Sequence, residues 1–565
     1  GEGVDRQISG IGVAMEIAID TGKIEKKKRV YYFFEPHQMT LDFNDSAETD
    51  RAFNMSTIMN RLKPYLESSK FMKLGHDTKR LILTLENSDV HPCEFEFDTM
   101  IAAYLIEPEG SGYPIDILTK ANIGMSMPDA DANDRLAYEA IAVLRLSEKQ
   151  KEVLQSDGLF RIFQEVEMPL VPILAGMERE GVSIDIDYLF DLSKELELML
   201  GNIENEIYSL TEQEFNINSP QQLGFILFEK LGLPKSRKTK TGYSTDANVL
   251  AKLITVHPVV EKVISYRELA KLKSTYVDAL PKLINYKTGK LHTSFNQTVT
   301  TTGRLSSSNP NLQNIPVRTD LGQRIRKAFV PSDPDEVFLS ADYSQIELRL
   351  LAQYSNEEVL IKAFQEDRDI HEATAVEVFG ILPEQVTPQM RRIAKMVNFG
   401  VLYGMSAYGL SDRLGIPVSD AKSFIERYFS RLPKVEMFID KTITEAREKG
   451  YVETLMGRRR YIPELKSTNR QVRSLGERFA VNAPLQGTAA DIIKLAMISV
   501  NNELKGQALK SRMILQVHDE LIFVVPYSEQ LICANIVKDA MENAYPLQIK
   551  LKVVISEGNN WKDAK

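Results

Sequence analysis

The apolar residues of the chain change their period several times between its two ends. Near the N-terminus, residues 11–19 (IGVAMEIAI) and 30–34 (VYYFF) read as two strands around a polar turn. The run 101–105 is apolar and stops near Pro108, and a helical pattern follows near 132–165. Together these predict a small α/β domain of roughly 160 residues. From 185 to 211, Leu189, Leu192, Leu196, Met199, Leu200 and Ile203 recur on one side of a helix. Ser219 then fits an N-cap, with Pro220 at the first helical position and Gln222 three residues after the cap. A turn-rich basic loop at 234–245 and helices to Leu283 complete an elongated, mostly helical subdomain, which reads equally as a spacer. Between 291 and 345 short polar turns alternate with strands, and the apolar run 337–341 ends at Asp342. Helical patterns dominate from there to about 500. The runs 513–517 (MILQV) and 521–525 (LIFVV), separated by the polar triplet His518-Asp519-Glu520, then predict a hairpin. There is no internal repeat and no low-complexity tract.

At 565 residues the chain is too long for one core and suggests about three to five domains. With 43% hydrophobic and 26% charged residues it has the composition of a soluble globular protein. No run of about eighteen apolar residues occurs, which argues against a membrane helix. The chain begins Gly1-Glu2-Gly3, without an initiating Met or a basic stretch leading into an apolar core, and is expected to be a processed piece lacking a secretory signal. Cys93 and Cys533 lie far apart, without metal-ligand spacing, and read as reduced thiols of a cytosolic protein. The net charge of −9 argues mildly against a nucleic-acid partner, but such binding needs only local positive charge. Two local clusters exist: Lys235, Arg237, Lys238 and Lys240 in the loop, and Arg458-Arg459-Arg460 after Gly457. Each reads as a solvated surface or as a phosphate contact.

Two places put carboxylates beside apolar strands. Asp342 follows VFLSA, and Asp519 and Glu520 sit between two strands. Such carboxylates are costly unless paired or metal-bound. Brought together, Asp342 and Asp519 would repel, and divalent cations relieve this; oxygen ligands of this kind suit Mg²⁺ and two-metal phosphoryl transfer. The alternative is an ordinary acidic turn. In 391–404 (RRIAKMVNFGVLYG), Arg391, Lys395, Phe399 and Tyr403 fall four apart on one helix face, cationic first and aromatic second. That order suits a triphosphate and a base, and also an amphipathic packing helix.

The segments 342–349 (DYSQIELR), 391–404 and 517–520 (VHDE) resemble, in order, the three signature motifs of family A DNA polymerases. The segments 302–318 (TGRLSSSNPNLQNIPVR) and 482–490 (NAPLQGTAA) are similar to the family too, and the resemblance covers essentially the whole chain, most closely as the large fragment of the bacterial members. It implies a multidomain α/β and α+β fold: a right-hand polymerase of palm, fingers and thumb, preceded by a ribonuclease H-like 3′–5′ exonuclease-type domain. The implied boundaries are 1–165 for the exonuclease-like domain, 166–285 for a linker helix and thumb, 286–346 and 478–565 for the palm, and 347–477 for the fingers. The implied activity is primer extension on a DNA template with dNTPs, in repair and primer replacement.

On that template Asp342 and Asp519 are the metal-binding aspartates, holding two Mg²⁺ ions for which Mn²⁺ can substitute, and the Tyr343 carbonyl completes one shell. Glu520 assists nearby. Arg391 and Lys395 bind the triphosphate, with Lys395 also a general acid toward pyrophosphate. Phe399, Tyr403, Gln345 and His371 join the nucleotide set, and Glu347 is the steric gate against a 2′-hydroxyl. Arg304, Asn311, Arg478, Asn482, Gln486 and His518 are implied DNA contacts, with Arg304, Asn311, Arg478, Asn482 and Gln486 resembling minor-groove and primer–template contacts and His518 near the primer terminus. Lys235, Arg237, Lys238 and Lys240 are implied to grip duplex phosphates. A cytoplasmic, nucleoid-associated monomer without membrane contact is implied.

The exonuclease motifs depart from the family pattern. Glu16 alone does not rebuild the first acidic pair, Leu81 falls where an aspartate is required, with Asp77 out of step, and Tyr138 is followed at the motif spacing by Ala142. Asp98 matches a family feature outside the catalytic four. No exonuclease metal site is expected, and the domain reads as a scaffold without proofreading. Two other classes stay open: a duplex-binding protein with a decayed polymerase fold, and an RNA polymerase or reverse transcriptase.

Overall fold

A computed structural model describes residues 11–20, 25–34, 55–126, 132–235, 238–239, 242–402 and 404–565. The chain divides into two compact units. The first comprises Gly1–Glu180, Thr293–Asn309 and Leu339–Ile555, and the second Gly181–His292, Pro310–Phe338 and Ser556–Lys565.

The elements that carry the first unit's site are, in chain order, strand β1 (Glu336–Tyr343), helices α1 (Ile346–Ser355), α2 (Ile370–Phe379), α3 (Pro388–Leu402) and α4 (Arg470–Gly506), and strands β2 (Arg512–Val517), β3 (Glu520–Pro526) and β4 (Val553–Gly558). The strands form one sheet in the order β2-β3-β1-β4. β2 and β3 are buried along nearly their whole length, which explains their unbroken apolar runs: helix Met168–Glu180 packs on β2 and helix Gln530–Glu542 on β3. The hairpin turn is tighter than the polar triplet suggests. Val517 pairs directly with Glu520, so only His518 and Asp519 turn, with His518 at φ 57°. Such a two-residue turn suits the twist of the flanking strands.

Helix α4 runs for 37 residues, opened by Asn469, whose side chain accepts from the Gln471 N–H. It is buried over most of its circumference from Ala480 to Met497. The early part of this unit holds the expected hairpin, Ile11–Asp20 paired antiparallel with Glu25–Phe34. It also holds a short parallel pair, Leu74–Gly75 with Phe97–Asp98. The apolar run 101–105 lies within helix Thr99–Ile106.

In the second unit, helix Ile186–Thr211 buries Leu189, Leu192, Leu196 and Ile207, while Met199 is exposed. Ser219 caps the next helix by accepting from the Gln222 N–H. The Gln222 side chain turns instead to the Asn216 N–H, at 2.7 Å, so the reciprocal bond of a capping box is not made. Strand Ser183–Ile184 pairs with Phe329–Val330. Helix Asp320–Lys327 occupies a stretch whose polar composition suggested only turns and strands; Thr319 caps it and Leu321 and Ile325 bury its inner face. Trp561 anchors this core, under the Arg326 guanidinium at 3.9 Å and beside Phe329 at 5.2 Å.

Candidate active site

The ends of β1 and β3 meet. The Tyr343 N–H donates to the Asp519 carbonyl at 3.1 Å, which sets the chain at 342–343 beside the hairpin tip. Side chains alternate along a strand, so Asp342 and Tyr343 face opposite ways. Tyr343 goes inward, its hydroxyl donating to the Met541 carbonyl at 2.7 Å. Asp342 and Asp519 both keep partial exposure. Burial pushes the Asp519 carboxyl above the usual carboxylate range, and Arg304 opposes that shift. Glu520 belongs to the strand interior: it is 2% exposed and accepts from the Ser340 hydroxyl at 2.7 Å. Among the described residues no three His, Cys, Asp or Glu side chains converge as a metal site. The donors available here are two carboxylates and backbone carbonyls, a hard oxygen set that fits Mg²⁺, which keeps several waters and takes substrate phosphates as ligands.

Arg304 and Glu347 flank this carboxylate pair. Gln345 stands before α1 in the left-handed region, φ 53°, and Glu347 falls in the helix's first turn, where the dipole favours an acid. Arg304 Nη2 donates to Glu347 Oε1 at 2.8 Å and lies 3.7 Å from Asp519 Oδ1. The loop carrying Arg304 is tied down by Thr300, whose hydroxyl donates to the Arg304 carbonyl at 2.6 Å and whose carbonyl accepts from Tyr104 at 2.8 Å. Gly303 has φ 84°, and a Cβ there would stand 2.6 Å from Arg458 Nε. Both facts require glycine.

On α3, Arg391 and Lys395 are exposed and Phe399 is half-buried, so the stripe is a surface feature; Tyr403 lies outside the described residues. Arg391 pairs with Asp369 at 2.6 Å. His371 is buried on α2, its ring 5.7 Å from that of Phe399, and Asn398 Nδ2 lies 3.1 Å from its Nδ1. An amide NH₂ can only donate, so Nδ1 accepts and the neutral ring carries its proton on Nε2. Burial lowers the His371 pKa to about 4, and the nearby Lys395 and Arg391 charges act in the same direction against Asp369.

Along α4, Arg478 is exposed and Asn482 and Gln486 are partly exposed, four residues apart, on a helix otherwise largely buried there. His518 is exposed at the hairpin tip. In the second unit Asn311 is exposed, its Oδ1 accepting from the Gln313 N–H at 3.1 Å. Lys235 is exposed too and pairs with Glu229 at 3.1 Å. Lys238 opens a two-residue strand, and Arg237 and Lys240 fall outside the described residues.

Arg458 is neither a solvated nor a phosphate-facing residue. It is 4% exposed, donates from Nε to Asp491 at 2.7 Å and from Nη2 to Glu167, and Lys494 reaches Glu167 at 2.7 Å. Arg459 pairs with Glu453 at 3.0 Å and Arg460 covers the Phe479 ring at 4.4 Å. Arg458 is legible in the sequence only as one of three arginines, and its buried companions Glu167, Asp491 and Lys494 are not singled out there, although a Lys within IIKLAM and a Glu within VEMPL are visible anomalies in apolar helices. Asp369 is not singled out either; the signal is an Asp directly before a helix.

Among the residues set against the exonuclease motifs, Leu81 and Tyr138 are 39% and 37% exposed and Ala142 is buried. Asp98 is buried and accepts from the Thr78 N–H and hydroxyl, both at 2.6 Å, and from the Met100 and Ile101 N–H groups, so it fixes two helix starts. The Glu16 side chain lies outside the described residues.

A sheet end that carries two partly exposed carboxylates, and a helix that presents Arg391 and Lys395 on its exposed face, are each suited to a polyphosphate ligand. The chain belongs to DNA polymerase family A, whose description matches residues 186–563. It is 46% identical over 520 residues to DNA polymerase I of Bacillus subtilis, covering 89% of this chain and 59% of that protein. It is 50% identical over 483 residues to the thermostable DNA polymerase I of Thermus thermophilus, covering 85% of this chain and 56% of that one. The chain thus spans less than two thirds of the length of these relatives. Among solved structures it is similar to the POL domain of Pol1 from M. smegmatis in complex with DNA primer-template and dNTP, with TM-score 0.85 and 39% identity over 90% of this chain and 89% of that one.

Proposed function

We propose that this chain is a DNA-templated DNA polymerase that extends a primer 3′ end with dNTPs. The observation that carries the reading is the backbone bond from Tyr343 to Asp519, which sets the Asp342 strand end against the hairpin tip. The similarity to a polymerase domain solved with primer-template and dNTP supports it.

Asp342, Asp519 and the Tyr343 carbonyl would hold two Mg²⁺ ions, with Mn²⁺ as substitute; these supply Lewis acidity at the primer 3′-oxygen and at the leaving pyrophosphate. Arg391 and Lys395 bind the triphosphate, and Lys395 donates a proton to the leaving group. His371, presenting Nε2–H, adds a neutral donor. Phe399, Gln345 and Tyr403 bound the base and sugar, and Glu347, held by Arg304, excludes a 2′-hydroxyl. Arg478, Asn482, Gln486, Arg304, Asn311 and His518 contact the primer–template, and Lys235, Arg237, Lys238 and Lys240 its phosphates. Glu520 supports the hairpin from within the sheet.

In this reading 286–346 and 478–565 form the palm, 347–477 the fingers and 166–285 the linker helix and thumb. Residues 1–165 are a ribonuclease H-like scaffold without proofreading. The exposed Leu81 and the structural duty of Asp98 support that loss. The setting is a bacterial cytoplasm, as a monomer, in repair and primer replacement; no helix among the described residues is long and apolar enough to cross a membrane.

The test is a gel time course with labelled matched and 3′-mismatched primers, Mg²⁺, and dNTPs present or absent. Growth of the matched primer to template length, with neither primer shortened, is expected. Shortening that a palm variant retains would restore the exonuclease. Duplex binding without extension would make the chain a binding protein.

A further inference from the structure

Asp369 stands immediately before α2, and its Oδ1 accepts from the N–H groups of His371 at 2.8 Å and Glu372 at 3.1 Å. That use alone is an ordinary N-cap. The other oxygen does something a cap does not require. Oδ2 accepts from both Nε and Nη2 of Arg391, at 2.9 and 2.6 Å. One edge of the guanidinium is therefore held by a carboxylate that two backbone bonds already pin to α2. The fork is planar, and the donors on Nη1 and the second hydrogen of Nη2 point away from the held edge. The Arg391 side chain is 45% exposed, and an arginine that open to solvent samples many rotamers unless something selects one.

We propose that Asp369 is a positioning residue for triphosphate recognition: it grips Arg391 by one edge and so presents the opposite edge to the nucleotide's phosphates. This rests on the reading of Arg391 as a triphosphate contact. A carboxylate that merely competed with phosphate for Arg391 would have to swing away, and its bonds to the α2 N-terminus oppose that motion.

The experiment is steady-state dNTP incorporation by the full chain on a primed template, for Asp369→Asn and Asp369→Ser. Both keep an N-cap acceptor and remove the charge. The dNTP KM is expected to rise about tenfold, with kcat and primer–template affinity within about twofold of the parent. Asp369→Glu, which restores the charge one methylene further out, is expected to recover part of the loss. An unchanged KM overturns the proposal, and a lowered KM makes Asp369 a competitor. Failure of both variants to fold would make it structural only. Arg391→Ala separates this inference from the reading beneath it. If that variant leaves KM unchanged, the triphosphate role itself fails. If it raises KM and Asp369→Asn does not, only the role of Asp369 fails. The double variant is expected to be no worse than Arg391→Ala alone; additive losses would overturn the coupling.

Discussion

Arg304 serves two acids at once: its Nη2 donates to Glu347 at 2.8 Å and stands 3.7 Å from Asp519. The residue proposed to sense the sugar and a carboxylate proposed to hold metal thus share one cation. The Glu347 side chain is only 11% exposed, so its carboxylate is nearly enclosed where it meets Arg304.

Glu347→Ala removes the bulk and charge proposed to lie under the sugar. Ribonucleotide incorporation relative to deoxyribonucleotide is expected to rise roughly tenfold or more, read from paired single-nucleotide extensions. An unchanged ratio would place the sugar gate elsewhere.

Asp519→Asn keeps the hairpin's shape and removes one carboxylate. Extension is expected to fall roughly a hundredfold or more while duplex affinity holds, measured by single-turnover kinetics beside a binding titration. Equal loss of both in a folded variant would refute the metal role.

His371 takes a proton near pH 6.5 when unfolded and near pH 4 when folded. The unfolded chain therefore binds more protons in that window, and stability falls as pH drops through it. Denaturation midpoints from pH 7 to about pH 4 are expected to fall less steeply for His371→Gln than for the parent. Parallel curves would show that proton uptake at groups other than His371 sets the slope.

Glu167 is fully buried between Lys494 and Arg458, which hold its carboxyl at about 2 although burial pushes it up. Glu167→Gln leaves those cations short of negative charge. Loss of about 3 kcal/mol is expected, seen as a lower denaturant midpoint. A loss near zero would mean that the cations find other partners.

What was legible in the sequence was whatever repeats locally. Asp342, Asp519, Arg391, Lys395 and Phe399 could be selected because each sits at a readable place in a strand end or a helix stripe. The hairpin was legible too, but Glu520 was misplaced into its turn, since three polar letters in a row hide which of them pairs with Val517. Relations across the chain left no trace. Arg391 and Asp369 are 22 residues apart, and Arg304 and Glu347 are 43 apart, with no periodicity linking either pair. Arg458 shows the reverse failure. Three successive arginines look solvated, and only the arrival of Glu167 and Asp491 makes the first of them interior. The helix Asp320–Lys327 was missed because its two apolar anchors are spaced among charges.

Helix α4 carries Arg478, Asn482 and Gln486, and further along the same rod Asp491 and Lys494 are clamped by buried ion pairs. Each residue added to a helix rotates everything beyond it by about 100°. A single insertion between Gln486 and Asp491 would therefore turn the clamped charges out of their sockets or swing the exposed amides to another side. Length here is as constrained as identity. Drift by insertion and deletion, which surface loops tolerate freely, is closed to this stretch, whose spacing works as a fixed gauge between the clamp and the surface it aims.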